Sequence, residues 1–424
     1  MVKNILGTIS TRFISAIFIL ATILLTGWFL GAGKMGTISL IILAITLIQM
    51  LNGFVGGGAL IYLLPRTDMI KLFLPSYIWS FITSCLGTLI LELIHRIPVG
   101  YAWHVFMLSI LLSLASVNFM ILLGQERIKS YNIISLIQIL CFFIFLSIWI
   151  FVFNIHEVIS YLIGLYVSYL IAFSGSLVMI LRNVKWGDFK GTIKVIKEIF
   201  RYGTIMQVGN IFQFFNYRLS YYFIEFFMGI RSVGVYTMGV QLSESIWLVS
   251  RSIHMVQYSR ISNEKDNRYA AHLTLSLVKI SFIITFVALC ILYFILNIFF
   301  PLVFKPEFIP IKIIIATLSF GILTFSISII LSPFFSGIGK PIHNTISAAI
   351  GLVFTLFSGW FLIPRLGYIG AGISASISYT VSTIYQFIVF IRISHVKVKD
   401  FILTKSDFKV FILGFKEVLQ KTNN

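Results

Sequence analysis

Six polar residues recur at helical spacing of three and four inside one long apolar run: Gln207, Asn210, Tyr217, Arg218, Tyr221 and Glu225. Wound into a helix, they share one face. The next run carries Gln241, Glu244 and Arg251, with Glu244 and Arg251 again on a common face, and Arg12 and Lys279 add two cations elsewhere. An arginine fork offers planar, multidentate donors suited to phosphate. A carboxylate moved between wet and dry surroundings can take up and release a proton or cation, so Glu225 and Glu244 are ion-coupling candidates. The same residues have a plainer use, because Glu244 is placed to pair with Arg218 or Arg251 and so hold helices together. Arg12 and Lys279 suit either a cationic path or snorkelling to an aqueous boundary.

The chain around them is a membrane protein by composition. Of 424 residues, 58% are hydrophobic and 11% charged, against roughly a quarter charged in soluble domains. The excess apolar surface must face lipid. Cys85, Cys141 and Cys290 lie in separate apolar runs and read as packing residues. The seven histidines show no ligand spacing, and no metal or other cofactor is expected. Walker, His-Glu-x-x-His and Gly-x-Ser-x-Gly motifs are absent, which argues against an ATP-driven pump or a hydrolase.

A span needs about 20 apolar residues. Twelve are expected, at 9–30, 36–63, 73–94, 102–124, 131–153, 158–181, 203–228, 232–257, 273–299, 311–334, 342–363 and 368–392. One alternate set of gaps, with both termini, holds 22 Lys and Arg, and the other holds five. The positive-inside rule then puts both termini in the cytoplasm. The N-terminus leads straight into an apolar run with no small-residue cleavage site, and reads as a retained first helix. The net charge of +18 is thus topological, and no nucleic-acid partner is expected. The basic segment 183–202, with Ile193, Val195, Ile196, Ile199 and Phe200 among lysines, suits a linker or short interfacial helix. The tail 394–424, with Phe401, Ile402, Val410, Phe411 and Phe415, reads the same way.

Two matches point to duplication. Phe29-Leu-Gly-Ala-Gly-Lys-Met-Gly36 aligns with Phe227-Met-Gly-Ile-Arg-Ser-Val-Gly234 at a constant offset of 198. Gly124-Gln-Glu-Arg-Ile-Lys-Ser-Tyr-Asn132 aligns with Gly337-Ile-Gly-Lys-Pro-Ile-His-Asn344 across a one-residue gap. The expected organisation is two six-helix lobes, 1–182 and 203–393, in a 6+6 repeat. Gly53, Gly56, Gly57, Gly58 and Pro333 suit close helix approach and kinks.

Those turns, the Gly-Gln-Glu-Arg-Ile-Lys exit and Gly56-Gly-Gly-Ala-Leu-Ile-Tyr-Leu-Leu-Pro65-Arg66 resemble the polysaccharide transporter family. It belongs to the multidrug/oligosaccharidyl-lipid/polysaccharide exporter superfamily. The resemblance covers essentially the whole chain. It implies an all-α integral membrane fold with two six-helix lobes around a central cavity. It also implies a flippase of O-antigen or similar units on undecaprenyl diphosphate, serving lipopolysaccharide or other polysaccharide biosynthesis in a bacterial cytoplasmic membrane. Its partners would be the lipid-linked oligosaccharide, membrane lipids, a polysaccharide polymerase and a chain-length regulator. Under that implication Arg218, Arg251, Arg12 and Lys279 would meet the diphosphate, and Gln207, Asn210, Tyr217, Tyr221 and Trp247 the sugars. The rivals are a cation-coupled multidrug exporter, which should favour buried anions, and a membrane polymerase or ligase, which should carry a sizeable outer loop. A channel or scaffold would not need duplicated halves.

Overall fold

A computed structural model describes residues 2–64, 67–182, 191–262, 266–303 and 305–401. Some side chains within helices, Arg12 among them, lie outside the described set, as do residues 183–190 of the basic linker and 402–424 of the tail. Helices account for nearly all of the described chain. They are α1 Val2–Gly56, α2 Gly58–Leu63, α3 Met69–Leu93, α4 Ala102–Gly124, α5 Ile128–Phe151, α6 Val158–Leu181, α7 Thr192–Met228, α8 Ile230–Ser245, α9 Trp247–Ser262, α10 Asn267–Val303, α11 Ile311–Gly337, α12 Ile342–Leu366 and α13 Tyr368–Ser394.

Nine stretches among the described residues are long and apolar enough to cross a membrane. The first, Ile14–Ile61, is 48 residues long and bends at Gly31 (φ 79°, ψ 172°), so it holds two passes and brings the total to ten. The stretches α7 and α8–α9 fall short of that standard. The first carries charges along its length, and the second is cut at Ile246 into two helices of 16 residues. Counting these two gives the expected twelve. The most polar spans are the ones that hold the candidate residues. The protein is an all-α, multi-pass membrane protein.

Four boundaries differ from the sequence expectation. The gap expected at 31–35 is a one-residue kink inside α1, because glycine alone adopts φ 79° without strain. The second span is interrupted at Gly57, where the backbone is extended. The eighth breaks at Ile246. From Thr192 onward the basic segment is not a separate helix: α7 runs 37 residues without interruption into the seventh span. Its first turns are amphipathic, with Lys194 and Lys197 exposed and Ile199 buried in a core with Val55, Leu72, Val117 and Ile134.

The repeat is visible in the backbone. Gly229, the equivalent of Gly31, has φ 82° and ψ 168°, so each half bends the same way after its first span.

The described chain forms two compact units. Unit 1 comprises 1–211, 224–238 and 301–309, and unit 2 comprises 212–223, 239–300 and 310–424. In each, helices are joined by buried amide and hydroxyl groups, as expected where lipid offers no hydrophobic drive between helices. In unit 1 the Asn118 amide accepts from Tyr77 (2.7 Å) and donates to Ser176 (3.0 Å), while Ser80 donates to Asn52 (2.9 Å). In unit 2, Asn216 accepts from Thr355 (2.9 Å) and from Ser378, and Ser328 donates to Gln386 (2.7 Å).

Candidate functional site

At 1.5 Å per residue, Arg218 and Glu244 lie within about 4 Å of the midpoints of their spans, and Arg251 about 10 Å from its own. At that depth a charge needs a partner or a wet surface. Arg218 finds a partner. Its Nη1 and Nη2 donate to the two carboxylate oxygens of Glu244, each at 2.8 Å, in a fork-to-fork pair. The side chains are 26% and 11% exposed. The guanidinium also lies over the rings of Tyr221 (5.4 Å) and Tyr217 (6.0 Å). Of the two arrangements open from sequence for Arg218, its fork occupies the ion pair that ties α7 to α8.

Tyr217 belongs to a packed aromatic cluster with Trp247, Phe325 and Tyr379, at centroid separations of 5.0–6.0 Å. Trp247 is fully buried and donates its indole N–H to the Ile322 carbonyl (2.9 Å). These rings turn their faces and edges to one another.

Arg251, one turn into α9, is different. It is exposed, lies 5.7 Å above the Trp247 ring, and among the described residues has no carboxylate partner. Lys279 on α10 is buried, at 8% exposure. The side chain of Arg12 lies outside the described residues.

The remaining candidates belong to unit 1. Gln207 is buried, donates to the Met50 carbonyl (3.0 Å), and fills the space left by Gly53, where a Cβ would lie 2.6 Å from it. Exposed Asn210 donates to Gln207 (3.2 Å). Glu225 does not join Glu244. It faces Arg96, from the α3–α4 connection, at 4.0 Å.

The structure thus groups Tyr217, Arg218, Tyr221, Glu244, Trp247 and Arg251 in unit 2, and separately Gln207 with Asn210 in unit 1. Sequence reasoning passed over Asn216, one residue off the polar face yet buried at a three-helix junction. An asparagine at mid-span was the available signal. It also passed over Glu307, an acidic residue in a short gap, and the use of Arg96 as partner to Glu225.

With this geometry in view, the chain can be set beside known proteins. No protein-family profile matches it. An uncharacterized membrane protein of Methanocaldococcus jannaschii is 27% identical over 280 residues, 63% of this chain and 54% of that one. The match therefore spans about half the length of that relative. Among solved structures, the lipid II flippase MurJ in an inward closed conformation superposes with a TM-score of 0.73 at 15% identity, covering 95% of this chain and 89% of that one. An inward-facing multidrug resistance MATE family transporter of the MOP superfamily gives 0.69 at 16%, covering 92% and 98%. A MOP superfamily transporter from Pyrococcus furiosus gives 0.62 at 16%, covering 92% and 96%. The chain shares the fold of these transporters. Within that fold, this chain is similar both to a lipid-substrate flippase and to multidrug transporters.

Proposed function

We propose that the protein is a flippase for lipid-linked oligosaccharides. It moves repeat units carried on undecaprenyl diphosphate from the cytoplasmic to the outer leaflet of the cytoplasmic membrane by alternating access. The observation that carries this reading is Arg251, an exposed cation at membrane depth with no carboxylate partner among the described residues. Such a group calls for water or an anionic guest, and a diphosphate headgroup is such a guest. The polyprenyl tail stays in lipid while the headgroup crosses, which spares the charge a passage through hydrocarbon. Units delivered outside would pass to a polymerase and a chain-length regulator, and both termini remain cytoplasmic.

The multidrug exporter is the second reading, supported by the MATE likeness. A carrier of cationic drugs calls for an accessible carboxylate, whereas Glu244 and Glu225 each face an arginine. Proton or sodium coupling at either glutamate would require breaking that pair first. The Pyrococcus furiosus transporter of this fold is described as having a binding pocket of reversed polarity that suggests a different function. Pocket charge is therefore the property that separates the two readings.

The test is appearance of fluorescent undecaprenyl-diphosphate oligosaccharide in the outer leaflet of proteoliposomes. A charged hydrogen-bond partner is worth about 1.5–3 kcal/mol, so Arg251→Ala should slow flipping roughly ten- to hundredfold. Wild type that moves no probe across several sugar headgroups overturns the cargo and puts the drug exporter first.

A further inference from the structure

Pro333 lies inside α11. Proline has no backbone N–H, so the carbonyl four residues back, that of Ile329, loses its helical donor. Within a span such a carbonyl must find another. His254 of α9 supplies it, with Nδ1 lying 2.9 Å from the Ile329 oxygen. A carbonyl only accepts, so Nδ1 carries the hydrogen and the tautomer is set. Three residues further along α9, the Gln257 amide donates to the next carbonyl, that of Ile330, at 3.0 Å. Two side chains on one face of α9 thus grip the proline break of α11.

Fixing Nδ1 decides what Nε2 does. The imidazole donates through Nδ1 whether neutral or charged, so a proton gained or lost is gained or lost at Nε2. His254 is half-buried, and its Nε2 has no hydrogen-bond partner among the described residues. Exposed Arg251 stands one turn away on the same face, and exposed Tyr258 one turn beyond. The helices around this face bring no counter-charge, because α9, α10 and α11 contain no aspartate or glutamate. Helix α10 meets α9 through Ser250–Ser281 (2.7 Å) and Gln257–Thr274 (3.0 Å), and the titratable group between those contacts is another cation, Lys279. On α11 the titratable group is Lys312, at the far end from Pro333. Tyr217 and Tyr379 pack on Trp247, two turns before His254, and Glu244 of α8 is held by Arg218.

We propose that His254 joins Arg251 as a second oxyanion-binding group and takes up a proton at Nε2 as the anion binds. The guest is of the phosphate or diphosphate type, with oxygens that accept from the guanidinium and from Nε2–H together. An anion that prefers imidazolium to imidazole raises proton occupancy at Nε2, and by reciprocity a lower pH tightens the anion. The site gains a proton link that neither Glu225 nor Glu244 supplies while facing arginine. This role for His254 rests on the reading of Arg251 as the cationic contact of the cargo, and adds the group that titrates.

The first test needs no lipid cargo. Diethyl pyrocarbonate acylates an open, neutral imidazole nitrogen, and peptide mass mapping of the purified protein reads the rate at His254. Sulfate, a doubly charged oxyanion that does not itself titrate here, should slow that labelling relative to chloride at equal ionic strength. Half-protection should need severalfold less sulfate at about pH 6 than at about pH 8. Arg251→Ala should abolish the protection, and exposed His395 should show none. The second test follows flipping of the lipid-linked diphosphate probe over the same range. Wild type should gain toward the acid end. His254→Asn keeps a donor for Ile329 and cannot titrate, so it should retain the thermal midpoint and lose the gain. Labelling of His254 that sulfate leaves unchanged overturns the site, even where wild type flips the probe. Protection independent of pH, or an acid gain kept by His254→Asn, overturns the proton link. Protection with the expected pH dependence and no flipping upholds the oxyanion site and sinks the lipid cargo.

Discussion

Arg218 and Arg251 are the same residue type on neighbouring spans, and they have opposite situations. The fork of Arg218 is filled by Glu244, which is 11% exposed. Breaking a buried pair from one side leaves an uncompensated charge and costs about 3–5 kcal/mol, whereas replacing both partners with apolar groups is close to neutral. Arg218→Ala should therefore lower the thermal midpoint in detergent by several degrees. Arg218→Met/Glu244→Leu should recover most of the loss. Additive losses in the double variant would mean that the pair does not hold α7 to α8. A transport defect in Arg218→Ala alone is ambiguous for the same reason, and Arg251 is the cleaner probe of a cationic path. The sequence placed Glu244 within reach of both arginines. The partner it takes depends on how α8 and α9 are set around the break at Ile246, which no spacing rule supplies.

At the scale of elements, the glycines divide by what lies opposite them. Gly203 in α7 faces the Phe54 carbonyl, which a Cβ would overlap. Gly175 in α6 would bring a Cβ only to 3.8 Å from Ile134, an ordinary contact. Gly203→Ala should destabilise the protein clearly, and Gly175→Ala should be neutral or stabilising by up to about 1 kcal/mol, the helix preference of alanine over glycine. Thermal unfolding of the two variants side by side checks this, and equal losses would discount the α1–α7 approach. Apolar run length located the spans well: α4 and α6 begin and end where expected. It failed at the start of α7, because a basic amphipathic stretch and a span look like two segments until one helical ladder joins them.

For the whole molecule, the distribution of lysine and arginine predicts an orientation, which two exposed positions test. With the native cysteines replaced, Val99→Cys should react with a membrane-impermeant thiol reagent on intact cells. Lys340→Cys, exposed after α11, should react only after permeabilisation. The reverse pattern would invert the protein.

The membrane class, the count of spans, the repeat and the polar character of the seventh and eighth spans were all legible in the sequence. Each rests on local composition, periodicity or a short internal match, which the chain carries regardless of how it packs. Which polar residues meet was decided only by tertiary structure. Glu225 faces Arg96, some 129 residues earlier in the chain, and Glu307 caps the helix start at Ala32, 275 residues away. Gln207 is spent on the Met50 carbonyl, while Arg251 is left exposed. A periodic face says that a residue turns away from lipid. Whether it then meets a carboxylate, a carbonyl or an open path depends on neighbours that long-range packing brings to it.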